Sequence, residues 1–291
     1  MARYGDSIVC ICPTQGLLGM PTAVIIHYTA DGFLLVADGL SRCEVNGVFK
    51  PHRDDEQKIF PIIGEQSKFA FAVAGTARFT PDGISDDVVF DFYSQVSRLA
   101  ANLDRRKLRD GIEYCDSLSA SVRKSLKHST DSARRAGKKV TYPTKPDQFG
   151  GGTIAFLFLG GFYAGVPHSS IFRFFHRNQE LALPQKIATL VEGESRVHGS
   201  QKVGNLLKSN DPRFAQFRVP LPAKPSFRQL AHAEKNYIDA CASEAGRAED
   251  PENCLGIGGR VLAATVTAKD RFRWIPGFAP KGEASPENAL T

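Results

Sequence analysis

Two polar residues flanking neighbouring apolar segments are the first residues of this sequence that could do chemistry. Thr22 comes directly before the apolar segment 23–28, and Asp38 comes directly after the segment 33–37. A hydroxyl held beside a carboxylate can take part in nucleophilic catalysis. Polar residues are also ordinary at the ends of strands, so the pair alone fits either a catalytic site or two strand termini.

The segments next to these residues are predicted to form a β-hairpin. Both are rich in β-branched and aromatic residues, and residues 30–32, Ala-Asp-Gly, form a turn signal between them. Further strands are predicted at residues 58–62 and 69–74, whereas the polar stretch 39–56 is predicted to be a surface loop. Four strands in hairpin order indicate an antiparallel sheet.

The apolar pattern changes period after residue 87. Apolar residues recur at three or four positions over residues 88–103 and again over 112–135, which predicts two amphipathic helices. The polar face of the second helix is basic, but it has neither interleaved aromatic residues nor a known binding motif. It is therefore interpreted as a solvated face, and a nucleic-acid partner is not expected.

The second half of the chain is predicted to return to strands. Strands are expected at residues 153–159 and 170–177, with a turn at Gly160 and Gly161. A capping box of Ser226 and Gln229 predicts a helix that follows it. Two more strands are expected at 260–267 and 271–275. The order strands, helices, strands, helix, strands predicts an α+β fold, a four-layer αββα sandwich with helices on both outer faces of two sheets.

Composition is that of an ordinary globular chain. Of the 291 residues 42% are hydrophobic, the net charge is +6, and no segment reaches the ~20 apolar residues that span a bilayer. The six cysteines show no disulfide framework, and the seven histidines show no metal-ligand spacing. We therefore expect reduced cysteines, a cytoplasmic location, no cofactor and no metal. Residues 1–21 are expected to be a leader or propeptide, 22–275 one domain, and 276–291 a disordered tail.

Four segments together resemble the proteasome β-type subunits and their bacterial relatives among the N-terminal-nucleophile hydrolases. These segments are Thr22-Ala23-Val24, residues 32–38, Lys58-Ile59 and residues 72–77. The separation of Thr22 and Asp38, sixteen positions, equals that of the family's threonine and aspartate. The resemblance extends more weakly over about residues 22–275, including Gly199-Ser200 and Gly258-Gly259.

The resemblance implies a threonine-nucleophile mechanism. An N-terminal threonine carries its own general base, because its α-amine has a pKa near 8. In the family a lysine lowers the pKa of the threonine by its charge, an aspartate holds that lysine, and a backbone N–H stabilises the oxyanion. The positions that match are Thr22, Lys58, Asp38 and Gly75. Ser200 is expected to be a helix cap.

The residue before Thr22 leaves two functions open. Self-cleavage would require attack on the carbonyl of Pro21, where the family usually has glycine, and proline restricts φ to about −65°. Cys254 and Ile257 also stand where the family has an aspartate and a serine. The preferred hypothesis is a peptidase that uses Thr22 after removal of residues 1–21 and forms a homo-oligomer. The alternatives are a catalytically inactive subunit with a structural or partner-binding role, and a hydrolase of non-peptide amides.

Overall fold

The described part of the chain consists of short strands and a few helices. The computed structural model describes residues 8–10, 22–45, 48–79, 88–140, 142 and 152–283. Its strands are β1 (Ile8–Cys10), β2 (Val24–Thr29), β3 (Gly32–Asp38), β4 (Ser41–Val45), β5 (Val48–Arg53), β6 (Ile59–Ile63), β7 (Ser67–Gly75), β8 (Arg78–Phe79), β9 (Phe90–Asp91), β10 (Gly152–Tyr163), β11 (Val166–Arg177), β12 (Glu180–Leu181), β13 (Gln185–Ala188), β14 (Ser195–His198), β15 (Val261–Val266) and β16 (Phe272–Trp274). Its α-helices are α1 (Phe92–Leu103), α2 (Gly111–Arg135), α3 (Gln201–Lys208), α4 (Phe227–Ala242), α5 (Glu244–Glu249) and α6 (Pro251–Cys254), and Pro212–Phe217 is a 3₁₀-helix.

Two larger sheets carry most of these strands. The first has the order β1-β14-β2-β3-β15-β16, and the second has the order β12-β11-β10-β7-β6, with β13 also paired to β11. Every strand pair of the described residues is antiparallel except β1 with β14, which is parallel. The fold is thus mixed α and β with antiparallel sheets. The two predicted hairpins are antiparallel, but they lie in different sheets: β2 and β3 in the first, β6 and β7 in the second.

The inner faces of the two sheets pack on each other. Alternate residues of a strand point to opposite faces, so Phe33 and Leu35 of β3 face the second sheet while Leu34 and Val36 face away from it. From the second sheet, the alanines at 70, 72 and 74 of β7 face inward. Small residues on β7 therefore make room for the large side chains of β3.

The helices cover the outward-facing apolar residues of each sheet. Helices α1 and α2 pack through Val96, Leu118 and Leu126 against the second sheet. Helix α4 packs through Leu230 and Ile238 against the first sheet. The capping box predicted for the start of α4 is present, with Ser226 and Gln229 bonding each other's backbone N–H groups. Among the described residues, no helix has both the length and the apolar character needed to cross a membrane.

The predicted turn at Gly160 and Gly161 is wrong. Both glycines lie inside the long strand β10, and the hairpin turns instead at Ala164 and Gly165, which have positive φ. A Cβ on Gly160 would lie 2.8 Å from a side-chain atom of Ile26 on the other sheet, and one on Gly161 would lie 2.1 Å from the carbonyl oxygen of Lys68. These glycines permit close packing rather than a turn.

Three other segments differ from, or fall outside, the sequence prediction. The expected loop 39–56 contains the β4–β5 hairpin. In the expected tail, Phe278 is buried and its carbonyl accepts a hydrogen bond from the N–H of Ala263, so the chain after residue 275 still packs on the first sheet. Of the expected leader, only β1 is described. Residues 1–7, 11–21 and 284–291 lie outside the described residues.

Candidate active site

Asp38, at the end of β3, is the centre of a buried hydrogen-bond network. Its Oδ1 accepts hydrogen bonds from the Lys58 ammonium at 3.0 Å and from the Ala23 N–H at 2.9 Å. Its Oδ2 accepts one from the N–H of Gly258 at 3.2 Å. Three donors around one carboxylate hold it in a single orientation. The network joins the starts of β2 and β6 to the turn before β15.

The charges of Asp38 and Lys58 depend on each other because both side chains are almost completely buried. Burial raises the pKa of Asp38, while the nearby ammonium of Lys58 and the two backbone N–H groups act to lower it. Lys58 also donates to the carbonyl of Leu40 at 2.6 Å. An ammonium has three N–H donors. Two are used in these hydrogen bonds, and Lys58 also lines a cavity.

Thr22 is held next to this ion pair through its neighbour Ala23. The N–H of Ala23 donates to the Asp38 side chain, and its carbonyl accepts from the N–H of Asp38 at 3.1 Å. Thr22 itself is buried and lines the same cavity as Lys58. The position of Thr22 relative to the ammonium is therefore set by backbone hydrogen bonds on the residue that follows it.

Gly75, the last residue of β7, lines the cavity from the opposite sheet. Its φ is +95°, and a Cβ there would lie 2.8 Å from the carbonyl oxygen of Ile154. The pairing of β6 with β7 ends at Ile59 and Ala72, so β7 continues past its neighbour toward the cavity. This places a glycine backbone at the wall of the cavity.

The cavity has a volume of about 80 Å³ and brings together three of the four residues predicted from the sequence. Thr22, Lys58 and Gly75 line it, and Asp38 lies behind Lys58. Seven other residues line the cavity, and three of them have ionisable side chains that were not predicted as site residues: Glu56, Arg78 and Tyr93.

Glu56 and Arg78 form a second ion pair in this cavity, with Glu56 Oε1 and Arg78 Nη1 2.9 Å apart. Arg78 also donates to Asp91 at 3.0 Å. Burial, and then the charge of Glu56, raises the pKa of Tyr93, so its phenol is neutral at ordinary pH. In the sequence Glu56 is an acidic residue two positions before Lys58, but the stretch 39–56 is predicted to be a surface loop.

Ser200 is the N-cap of α3, as predicted, and it also has an acidic partner. Its Oγ accepts from the N–H of Val203 and donates to Asp250 Oδ2 at 2.6 Å, with both residues buried. Strand β14 pairs His198 with Val24, so Ser200 follows at the end of the ladder nearest Thr22. Ser200 and Asp250 thus form a buried hydrogen-bonded pair at this end of the first sheet, and neither lines the Thr22 cavity.

Three cysteines, whose side chains the structure describes, are poor candidates for a nucleophile. Cys115, Cys241 and Cys254 are free and buried. Burial raises the pKa of Cys115 to about 12, and burial together with the neighbouring Cys254 raises the pKa of Cys241. A thiol with a raised pKa supplies little thiolate at neutral pH. Cys115 and Cys241 are therefore weak nucleophiles at neutral pH.

Comparison with known proteins gives only distant similarities. No protein-family model matches the chain, and no curated protein matches its sequence. The helical assembly of the Anbu complex from Pseudomonas aeruginosa is similar at 12% identity with a TM-score of 0.47, over 90% of this chain and 88% of that chain. An Anbu (Gly-1) mutant from Hyphomicrobium sp. strain MC1 is similar at 12% identity with a TM-score of 0.46, over 90% and 89%.

The assignment to the proteasome β-type subunits is corrected by these comparisons. The similar structures are Anbu complexes, which are proteasome-related but form a distinct family. Similarities at 12% identity with TM-scores below 0.5 assign the chain to no family. Thr22 and Lys58 do line one cavity, but motifs of a few residues do not assign a chain to a family.

Proposed function

We propose that this protein is a threonine-nucleophile amide hydrolase that cleaves peptides. The observation that carries the proposal is the buried Lys58–Asp38 ion pair in the wall of a cavity that Thr22 also lines. A buried ion pair is costly to build unless its geometry is good, so one placed against a hydroxyl in a cavity favours a functional role. The four layers form an αββα sandwich with the site at one end of both sheets.

The mechanism requires removal of residues 1–21, so that Thr22 has a free α-amine. That amine takes the proton of the Thr22 hydroxyl as Oγ attacks the carbonyl carbon of the scissile amide. The N–H of Gly75 stabilises the oxyanion, and the charge of Lys58 favours the alkoxide form of Oγ. The α-ammonium returns its proton to the leaving amine. Water then hydrolyses the Thr22 ester and restores the free hydroxyl.

The two protein groups behind Thr22 have separate roles in this proposal. Asp38 orients Lys58 and does not touch the substrate. Ser200 and Asp250 stabilise the turn between β14 and α3 near the start of β2.

The working protein is a homo-oligomer located in the cytoplasm, without a cofactor, and its substrate is a peptide or protein.

The decisive experiment measures the start of the mature chain together with hydrolysis. Intact-mass analysis should find a chain that begins at Thr22, and fluorogenic peptide amides should be cleaved. Thr22→Ala should abolish both processing and hydrolysis, lowering the rate by at least ~10³-fold. Thr22→Ser, which keeps a hydroxyl, should retain measurable activity. Undiminished hydrolysis by Thr22→Ala would exclude the proposed nucleophile, and native mass measurement would test the oligomer.

A catalytically silent subunit is the second candidate, and Pro21 favours it. Proline before Thr22 restricts the backbone turn through which the hydroxyl would reach the Pro21 carbonyl. A purified chain that retains Pro21 and cleaves no amide would support this candidate. The Lys58–Asp38 pair would then only position the start of β2.

A further inference from the structure

A second cavity of about 370 Å³ lies on the outer side of the first sheet, and its function is not explained by Thr22. Its walls are formed by α4, the turn before β15 and the chain after β16. It shares no lining residue with the Thr22 cavity. The charged lining residues are Arg228, Lys235, Asp239 and Arg260, and His232 and Phe278 are among the other lining residues.

The positive charges of this cavity exceed its negative charge. Arg228, His232, Lys235 and Asp239 follow one another at helical spacing along a single face of α4. Asp239 forms an ion pair with Lys235. Within the described residues, neither Arg228 nor Arg260 has an acidic partner. Two guanidinium charges therefore face the cavity without compensation.

Arg260 also has a buried donor without an acceptor. Its Nε is inaccessible to solvent and donates to no atom of the described residues. A buried N–H without an acceptor is costly. The Arg260 backbone is fixed, because its N–H donates to the carbonyl of Asp54 and the adjacent Gly259 has no space for a Cβ. The side chain is thus presented by a rigid turn.

We propose that this cavity binds a small molecule bearing phosphate or carboxylate groups. Guanidinium groups bind both kinds of oxyanion through paired N–H donors. The volume falls in the range of small-molecule sites, roughly 300–1,000 Å³. Arg228 and Arg260 neutralise the ligand charge from two sides, and the aromatic ring of Phe278 borders its uncharged part.

Titration calorimetry and thermal unfolding of the full chain test this site with two probes, inorganic pyrophosphate and citrate. Sodium chloride at matched ionic strength serves as the reference. At least one probe should bind saturably and raise the midpoint of thermal unfolding by a few degrees, about 2–4 °C. Binding of pyrophosphate alone identifies a phosphate ligand, and binding of citrate alone identifies a carboxylate ligand. Binding of neither probe overturns the proposal.

Arginine variants show whether the probe occupies this cavity. Arg228→Gln and Arg260→Gln should each raise the dissociation constant by about 10-fold or more. Arg271→Gln removes the same charge from an exposed position outside the cavity and should leave the constant unchanged. If Arg260→Gln does not fold, Arg228→Gln, on the exposed face of α4, still shows whether the probe occupies this cavity. Equal binding by all variants, or equal losses in all three, overturns the assignment. These readouts do not involve amide hydrolysis.

Discussion

Lys58 and Asp38 are each charged in a place where water cannot compensate the charge. Replacing Lys58 by methionine leaves the Asp38 carboxylate buried with two backbone donors and no counter-ion. Removing one partner of a buried pair typically costs about 3–5 kcal/mol in the free energy of unfolding. We expect Lys58→Met to lose about that much stability at pH 7, measured by urea unfolding, and to lower any amide hydrolysis by about 10²-fold.

The pH dependence of this loss follows from the pKa of Asp38. Burial raises that pKa, and without Lys58 the main opposing charge is gone. The folded variant then binds a proton more tightly than the unfolded chain, so its stability should rise as the pH falls. Lys68→Met is the control, because Lys68 lies on β7 with an exposed contact and should cost little. If the loss of unfolding free energy in Lys58→Met did not change with pH, a buried, unpaired Asp38 carboxylate would not be its cause.

Gly75 has both an unusual backbone conformation and a close neighbour. Its φ is +95°, and an alanine Cβ would lie 2.8 Å from the Ile154 carbonyl oxygen. Gly137 has a φ of +77° but no atom within 4 Å of its Cβ position. Gly75→Ala should therefore lower the free energy of unfolding by about 1–3 kcal/mol and impair hydrolysis. Gly137→Ala should be destabilised only by the strain of alanine at a positive φ, and it should keep activity. If Gly75→Ala and Gly137→Ala had equal effects on stability and on activity, Gly75 would have no special role.

The sequence allowed some residues of the cavity to be predicted, but not all of its charged and polar lining residues. Thr22 and Asp38 could be paired because hairpin register is local, and Lys58 precedes a recognisable strand. Glu56, Arg78 and Tyr93 could not be assigned to the cavity, because their approach depends on how β8 and α1 pack near β6. The catalytic roles of Thr22, Lys58, Asp38 and Gly75 stay predictions.

Among the secondary-structure elements, the spacing of apolar residues predicted helices more accurately than the positions of glycines predicted turns. Helix α2 was predicted within one residue at its start, because its apolar residues recur along one face. Gly160 and Gly161 suggested a turn because glycine is common in turns. Their true role depends on contacts with Ile26 and Lys68, which are distant in sequence. Such contacts leave no local signal.

The start of α2 offers a test of pH-dependent stability. The N–H of Glu113, and then the side chain of Arg109, hold the pKa of Asp110 below its usual range. The folded pKa is below the unfolded value, so this stabilisation is present above about pH 4 and is lost as the pH falls through the folded pKa. Asp110→Ala should lower the midpoint of thermal unfolding at pH 7.

The difference in the midpoint of thermal unfolding between Asp110→Ala and the unmodified chain should shrink in acid, because residue 110 then carries no carboxylate in either protein. Asp110→Asn keeps a side-chain oxygen that can accept from the N–H of Glu113 but has no titratable charge. Its helix should therefore show a smaller loss than Asp110→Ala at pH 7. Thermal scans at pH 7 and at about pH 2, below the lowered pKa of Asp110, measure both effects. A difference that stays constant with pH would show that the carboxylate charge contributes nothing.

For the whole molecule, the two sheets share one core and should unfold together. Phe33 of β3 is completely buried between them, stacked on Tyr28 at 4.4 Å and in edge contact with Phe162 of β10 at 5.8 Å. Phe33→Ala should cost about 3–5 kcal/mol, while Leu183→Ala, at a position 72% exposed, should cost less than about 0.5 kcal/mol. The single tryptophan, Trp274, lies on β16 and reports the first sheet, whereas far-ultraviolet circular dichroism reports both sheets. Coincident urea transitions by the two methods are expected in both variants, because loss of the shared core leaves neither sheet covered. Separate transitions in Phe33→Ala would show that one sheet with its helices is stable alone.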